Sequence, residues 1–350
     1  MSNTPTFDWD PAGPDRALAV ARGDVAALRL GATREVLAET RLRGDFDARA
    51  FRSMVLAAAA ASNDVVETWA REEPENPDAL LLYARLAAHR AVTAKRNRAA
   101  LSEIAVNACS AAHRAWPQDP TPFVVELTLL RLRQSHGRPA PGHAPGSRVD
   151  PAWTLWRETE SRHPGNREAG QRLLALCYPR HGGTLELASD TAAYLASVAA
   201  VDSISQLLPL LAHLERSRGE EQPRGDTARL TKIRELLDSL TARASTEPQV
   251  EQRRRTLLEM LDLELRGEPA PDPLAETLGR EWFGPFGRPP ASATVSDLSV
   301  LAEALHRSGR LAPAWRVLRH IHPYASPFPW SRHGPPEQVL ARVYRDCQRA

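Results

Sequence analysis

The chain has 350 residues, of which 42% are hydrophobic and 25% are charged. This composition is typical of a soluble folded protein and excludes a wholly disordered one. The 45 basic and 43 acidic residues nearly cancel, and all the basic residues except Lys95 and Lys232 are arginines. Together with abundant alanine and proline, this preference for arginine indicates a GC-rich bacterial genome. Because the arginines are spread along the chain, the composition disfavours nucleic acid as a partner.

The cysteines and the N-terminus predict a cytoplasmic protein. Cys109, Cys177 and Cys347 lie far apart and lack the spacing of metal ligands, so we expect reduced thiols and predict neither a metal nor a cofactor. Residues 1–10 have neither the basic start nor the apolar run of a secretory signal. No apolar stretch approaches the roughly 20 residues that cross a bilayer, which predicts no membrane partner.

A junction between helices occurs three times in the first half of the chain. Each copy has a proline after a helical segment and an Asn or Asp two residues later: Pro74 and Asn76, Pro117 and Asp119, Pro164 and Asn166. Proline ends a helix, and an Asn or Asp side chain can cap the next one. The three prolines are 43 and 47 residues apart. Such recurrence is typical of stacked helical hairpins, which are usually binding surfaces.

Helical periodicity extends over most of the chain and no credible β-strand is found, so the sequence predicts an all-α fold. Residues 1–14 are predicted to be a flexible lead-in, and residues 15–267 a helical repeat region. Within that region, residues 134–149 are rich in Gly, Pro and His and are predicted to form a loop. Residues 268–350 are predicted to form a C-terminal hairpin followed by a tail rich in aromatic residues and proline.

The segment from Asp297 to His322 resembles a tetratricopeptide repeat, in which large and small residues alternate over a helix-turn-helix. The matching large residues are Leu298, Leu301, Leu305, Leu311 and Leu318, the small ones are Ala302 and Ala314, and Gly309 makes the turn. Ile321 and Pro323 depart from the family pattern. The resemblance implies a right-handed superhelical stack of antiparallel helical hairpins, a TPR-like α-solenoid. The junctions extend it loosely to residues 63–180, at a spacing longer than the family period of about 34 residues.

Two further stretches suggest binding residues, each with an ordinary structural alternative. Arg180 and His181 precede a Gly-Gly turn and a helix N-terminus, where free amides and cationic side chains can hold an anion. The alternative, which we favour, is a tight turn in which glycine supplies positive φ. The turn and the Pro-Gly-Asn-Arg-Glu-Ala run before it are also similar to uncharacterised bacterial helical proteins. Trp153 and Trp156 share one helix face and either line a concave surface or, as we favour, lie in the core.

No catalytic motif with the required spacing is found, which predicts a non-enzymatic protein. We therefore expect a scaffold or adaptor that binds a protein or peptide, with Arg172, Tyr178 and Arg180 in a concave groove. The alternative is an enzyme or small-molecule regulator with a pocket around Trp282 and Phe283. The aromatic tail, which includes Trp330, is expected to cap the end of the solenoid rather than dock a partner. The oligomeric state is left open by the sequence.

Overall fold

The structure is a computed structural model that describes residues 5–134, 151–216, 255 and 273–350. Fifteen α-helices and no β-strand occur in these residues, which confirms the predicted all-α class for the part of the chain described. The helices, numbered in order, are α1 Arg16–Ala26, α2 Gly31–Arg43, α3 Phe46–Ala59, α4 Val65–Glu72, α5 Pro77–Thr93, α6 Arg98–Ala115, α7 Thr121–Gln134, α8 Pro151–Arg162, α9 Arg167–Leu176, α10 Leu185–Val198, α11 Leu208–Arg216, α12 Pro273–Phe283, α13 Val295–Arg307, α14 Leu311–Ile321 and α15 Pro336–Gln348. Nearly all of the predicted 134–149 loop lies outside the described residues, as do residues 217–267 of the predicted helical repeat region except residue 255.

The three predicted junctions are confirmed as boundaries between helices. Helices α4, α6 and α8 each end two residues before the junction proline. Each Asn or Asp then accepts a hydrogen bond from a backbone amide at the start of the next helix. The acceptor–donor pairs are Asn76 Oδ1 with Asp78 N at 2.9 Å, Asp119 Oδ1 with Thr121 N at 2.8 Å and Asn166 Oδ1 with Ala169 N at 2.9 Å. These bonds satisfy amides that have no partner inside the helix.

The described chain forms two compact units. We call residues 14–188 the first unit, and residues 1–13 together with 189–350 the second unit. In the first unit α5 packs against α3, α6 and α7, while α9 packs against α3, α7 and α8. The first unit is rich in buried alanine, and α5, α6 and α7 share a core that includes Ala84, Ala88, Ala105 and Ala108. Small side chains in such a core allow neighbouring helices to approach closely.

The core of the second unit is built on α11 to α15. The segment that resembles a tetratricopeptide repeat forms α13 and α14, which pack together across a turn at Gly309, where φ is +72°. Thr294 and Asp297 form a capping box that begins α13. Ala302 and Ala314 are fully buried. Phe7 and Trp9, from the predicted lead-in, pack against the core of this unit.

A candidate anion-binding site on the first unit

A buried arginine in α3 joins the first two junctions of the first unit. The Arg49 side chain is fully buried, and its guanidinium lies 2.7 Å from Asp78 Oδ1 and 2.7 Å from Asp119 Oδ2. Its Nη1 also donates to the Leu37 carbonyl at 3.2 Å. Breaking a buried pair by removing one partner leaves an uncompensated charge, which costs about 3–5 kcal/mol. This network therefore fixes α3 against the starts of α5 and α7.

A second buried network is centred on Glu168 at the start of α9. Arg85 Nη1 donates to Glu168 Oε1 at 2.8 Å, and Arg85 Nε donates to Ser53 Oγ at 3.2 Å. Arg172, one turn along α9, donates to the same carboxylate oxygen from Nη2 at 2.8 Å. Burial raises the pKa of Glu168, but the charges and hydrogen bonds of Arg85 and Arg172 outweigh it and lower the pKa to about 2. The carboxylate is therefore held ionised between two arginines.

The junctions account for the positions of the three buried acids, Asp78, Asp119 and Glu168. Asp78 and Glu168 are the second residues of α5 and α9, and Asp119 lies two residues before the start of α7. A carboxylate at a helix N-terminus interacts favourably with the helix dipole. Each junction thus ends one helix, caps the next and supplies a buried acid that faces an arginine of another helix.

Further positive charge gathers beside Glu168. Arg131 of α7 is half-buried, and its pKa is lowered to about 10, first by burial and then by the positive charges of Arg172 and Arg180. The negative charge of Glu168 raises the pKa of Arg131, but this effect is smaller. We call Arg131, Arg172 and Arg180 the arginine cluster. The charges of Arg131, Arg172 and Arg85 act on or respond to the Glu168 carboxylate, which binds Arg85 and Arg172 directly.

The third member of the cluster is held at the surface by an aromatic ring. The Arg180 guanidinium carbon lies 4.7 Å from the centroid of the buried Tyr178 ring, a cation–π arrangement. Arg180 Nε also lies 3.3 Å from His181 Nε2. Because Arg180 is exposed and Arg172 is half-buried, the cluster runs from the buried network to the solvent. Arg180 is thus the member of the cluster that is most accessible from solvent.

The Gly-Gly turn beside Arg180 has the structural role that we favoured. Gly182 has φ of +89°, and a Cβ at Gly183 would lie 2.0 Å from the Cys177 carbonyl oxygen. The amides of His181 and Gly183 donate to the Tyr178 carbonyl, and the Gly182 amide donates to the Pro179 carbonyl. These amides are consequently used by the turn itself. These three amides are therefore not available to an anion.

The tryptophans selected from the sequence lie in the cores. Trp153 and Trp156 of α8 are buried in the first unit, with ring centroids 5.4 Å apart in a T-shaped arrangement. Trp282 of α12 is 3% exposed and belongs to the core of the second unit, not to the unit that holds the arginine cluster. Phe283 packs against the same core as Trp282. The structure therefore brings together Arg172, Tyr178, Arg180 and His181 in one unit and places these tryptophans in packing positions.

Sequence reasoning missed the buried charges that organise the site. In the sequence, Arg49 and Arg85 stand among the largely apolar residues of α3 and α5. Glu168 comes two residues after Asn166, which caps α9. An arginine inside an apolar helix stripe is a signal of a buried ion pair, because such a side chain is rarely buried without a partner. The sequence does not indicate which of the many acidic residues would pair with each of these arginines.

Comparison with models of protein families, with curated protein sequences and with solved structures gives no significant match. Among the described residues, none of the helices is both long enough and apolar enough to cross a bilayer. In the same ranges, no group of three or more His, Cys, Asp or Glu side chains has an arrangement suited to a metal ion. The site is therefore interpreted from its own geometry.

Proposed function

We propose that this protein is a non-enzymatic helical-repeat scaffold, a TPR-like stack of helical hairpins, that binds an acidic segment of a partner protein. The observation that carries the proposal is the arginine cluster, in which Arg131 of α7 lies close enough to Arg172 of α9 and to Arg180 of the following turn for their positive charges to act on it. Arginine forms paired hydrogen bonds with carboxylates, so an acidic peptide is the ligand that this chemistry fits.

Two features of the first unit favour a peptide over nucleic acid. The formal net charge of the whole chain is only +2, and in the first unit the buried Arg49 and Arg85 are neutralised by Asp78, Asp119 and Glu168. Nucleic-acid binding requires an extended basic surface that spans several phosphates. The arginine cluster consists of only three side chains, which fits a short run of carboxylates. Its aromatic support at Tyr178 orients Arg180 without adding charge.

The proposal is tested by the binding of a fluorescein-labelled octaglutamate peptide, measured by fluorescence anisotropy at low salt. Arg180→Glu should weaken binding by at least about tenfold, which corresponds to about 1.4 kcal/mol. Arg180 is the suitable position because it is exposed and lies outside the buried Glu168 network. Binding should also fall as salt is added, because exposed charges are screened.

The matched control is Arg342→Glu, which changes the net charge equally at an exposed position of α15 in the second unit. This variant should bind the peptide within about twofold of the unaltered protein, because a twofold change is only about 0.4 kcal/mol. Equal weakening by both substitutions would show general attraction to a basic protein and would reject the site. Tighter binding of a short DNA duplex than of the peptide would reject the ligand class.

A further inference from the structure

The chain leaves α12 through a tight turn that carries one aromatic residue. We call residues 284–287, Gly-Pro-Phe-Gly, the aromatic turn. The Gly284 amide donates to the Arg280 carbonyl at 2.9 Å at the end of α12. The Gly287 amide donates to the Gly284 carbonyl at 3.1 Å, so the four residues form a hydrogen-bonded β-turn with proline at its second position. Phe286 therefore lies at the tip of this turn.

Both glycines of the aromatic turn are required by the close return of the chain to α12. A Cβ at Gly284 would lie 2.3 Å from the Arg280 carbonyl oxygen, and one at Gly287 would lie 2.1 Å from the Glu281 carbonyl oxygen. Any other residue at either position would force the backbone to shift. The turn is also anchored, because Trp282 just before it is 3% exposed and belongs to the core of the second unit. The local sequence thus fixes the shape of the turn.

The side chain at the tip of the turn is fully exposed. The relative exposure of Phe286 is 101%, so its ring contacts solvent on all sides. Among residues 273–350, Phe286 is the only large hydrophobic residue that is exposed. Removing such a ring from water is favourable, so an exposed phenyl group is a source of binding free energy. Exposed apolar residues are common on protein surfaces, but this one stands on a turn whose glycines and proline hold it outward.

Positive side chains flank the aromatic turn. Arg280 and Arg288 precede and follow it in the sequence, both are exposed, and neither forms an ion pair with the described residues. The nearest acid in the sequence, Glu281, is half-buried. The His320 ring lies 5.3 Å from the Phe283 ring, which places the exposed end of α14 beside the end of α12. An exposed aromatic tip is thus combined with exposed cations.

Two kinds of surface accept an apolar tip between cations: an apolar pocket bordered by acids in a protein, and the interface of an anionic membrane. A stable protein interface buries about 800 Å² on each partner and surrounds its central aromatic residues with further contacts. Phe286 has no such surround, because no other large hydrophobic residue of 273–350 is exposed. A membrane interface requires only an apolar side chain at headgroup level and cations that anionic lipids attract. The features of the turn therefore favour the membrane.

We propose that the aromatic turn is a membrane-docking site, which inserts Phe286 into the interface of an anionic lipid bilayer while Arg280 and Arg288 contact the lipid headgroups. The lack of a spanning segment led us to predict no membrane partner, but a turn that inserts one ring needs no such segment. One aromatic ring with two cations gives weak and reversible association. The site does not depend on the arginine cluster, which belongs to the other unit.

The test is sedimentation of the full chain with large vesicles made of about equal parts phosphatidylcholine and phosphatidylserine, at low salt. Phe286→Ala should lower the partition coefficient by at least about fivefold, because the inserted ring is lost. Arg280→Glu combined with Arg288→Glu should lower it by at least about tenfold, because two attracted charges become repelled ones. Vesicles of phosphatidylcholine alone should bind the unaltered protein at least about tenfold more weakly than the mixed vesicles.

Leu42→Ala is the matched control for the ring, because Leu42 is 80% exposed on α2 of the first unit. It should bind the mixed vesicles within about twofold of the unaltered protein. If the unaltered protein does not bind these vesicles, or if Phe286→Ala and Leu42→Ala bind equally well, the turn is not a docking site. Equal binding to both kinds of vesicle would reject the role of the arginines. Self-association without vesicles that Phe286→Ala abolishes would make a second copy the occupant and would reject the membrane.

Discussion

Glu168→Gln is expected to destabilise the first unit by about 3–5 kcal/mol, the typical cost of removing one partner from a buried ion pair. The substitution keeps the size of the side chain but removes the charge that Arg85 and Arg172 share. Arg85, Arg172 and the nearby Arg131 would then repel one another without the negative charge that compensates them. The free energy of unfolding, measured by urea denaturation at neutral pH, tests this expectation.

The pH dependence of stability provides an independent readout for the same residue. The Glu168 pKa is about 2 in the folded protein against an ordinary value of 4.5. Because the pKa is lower in the folded protein, the ionised Glu168 makes its full contribution to stability above about pH 4.5. This contribution is lost as the pH falls towards 2. The difference of about 2.5 pKa units corresponds to about 3 kcal/mol. The stability gap between the unaltered protein and Glu168→Gln should therefore narrow by about this amount over that range.

The matched control for Glu168 is Glu158→Gln. Glu158 also pairs with an arginine one turn away, but its side chain is 49% exposed. Exposed pairs contribute about 0–1 kcal/mol, so this variant should be nearly neutral. If Glu168→Gln is also nearly neutral, or if its gap to the unaltered protein does not change with pH, the buried network does not organise the first unit.

Trp330→Ala is expected to destabilise the second unit by about 3–5 kcal/mol, the range typical for truncating a buried aromatic residue. Trp330 begins a short 3₁₀ turn after the proline-rich tail and shares the core with Leu301 and Leu318. Its side chain is fully buried although the surrounding tail is not helical. Thermal unfolding followed by circular dichroism should show a clear decrease in the melting temperature.

Trp330→Phe is the matched control, because it keeps an aromatic ring in the core. The Trp330 indole N–H is buried without a hydrogen-bond partner among the described residues. Replacing Trp330 by Phe therefore breaks no hydrogen bond to these residues. A phenyl ring leaves a smaller cavity than alanine does, so Trp330→Phe should cost clearly less than Trp330→Ala. If the Ala and Phe variants have the same melting temperature as the unaltered protein, the tail has no role in closing the core and is better interpreted as a docking peptide.

The sequence was sufficient for those features that depend on local chemistry. The junctions were predictable because a proline and a capping Asn or Asp act within a few residues, and the structure places Asn76 and Asn166 at the starts of α5 and α9 as expected. The turn at Gly182 was predictable for the same reason. The pairing of Arg49 with two acids could not be predicted, because Asp119 lies 70 residues away and no local signal selects it.

The packing of the N-terminal segment and the arginine cluster also depend on distant parts of the chain. Phe7 meets His322 and Tyr344 only after the helices have packed, and a polar, proline-containing N-terminus has no periodicity from which to infer this contact. Arg172 and Arg180 were selected as partner-binding residues from the sequence, whereas Arg131 joins them only through the packing of α7 against α9. Local signals thus identify individual side chains, and packing decides which of them act together.

The most direct test of the central proposal is backbone amide hydrogen exchange of the first unit with and without saturating octaglutamate peptide. Binding at the arginine cluster should slow exchange in α9 and in residues 177–183, because a ligand that binds the folded state suppresses local opening. Exchange in α14 and α15 of the second unit should not change, which provides an internal control. Unchanged exchange at α9 while the peptide is bound, or strongest protection in α14 and α15, would contradict the proposal that this cluster binds an acidic segment.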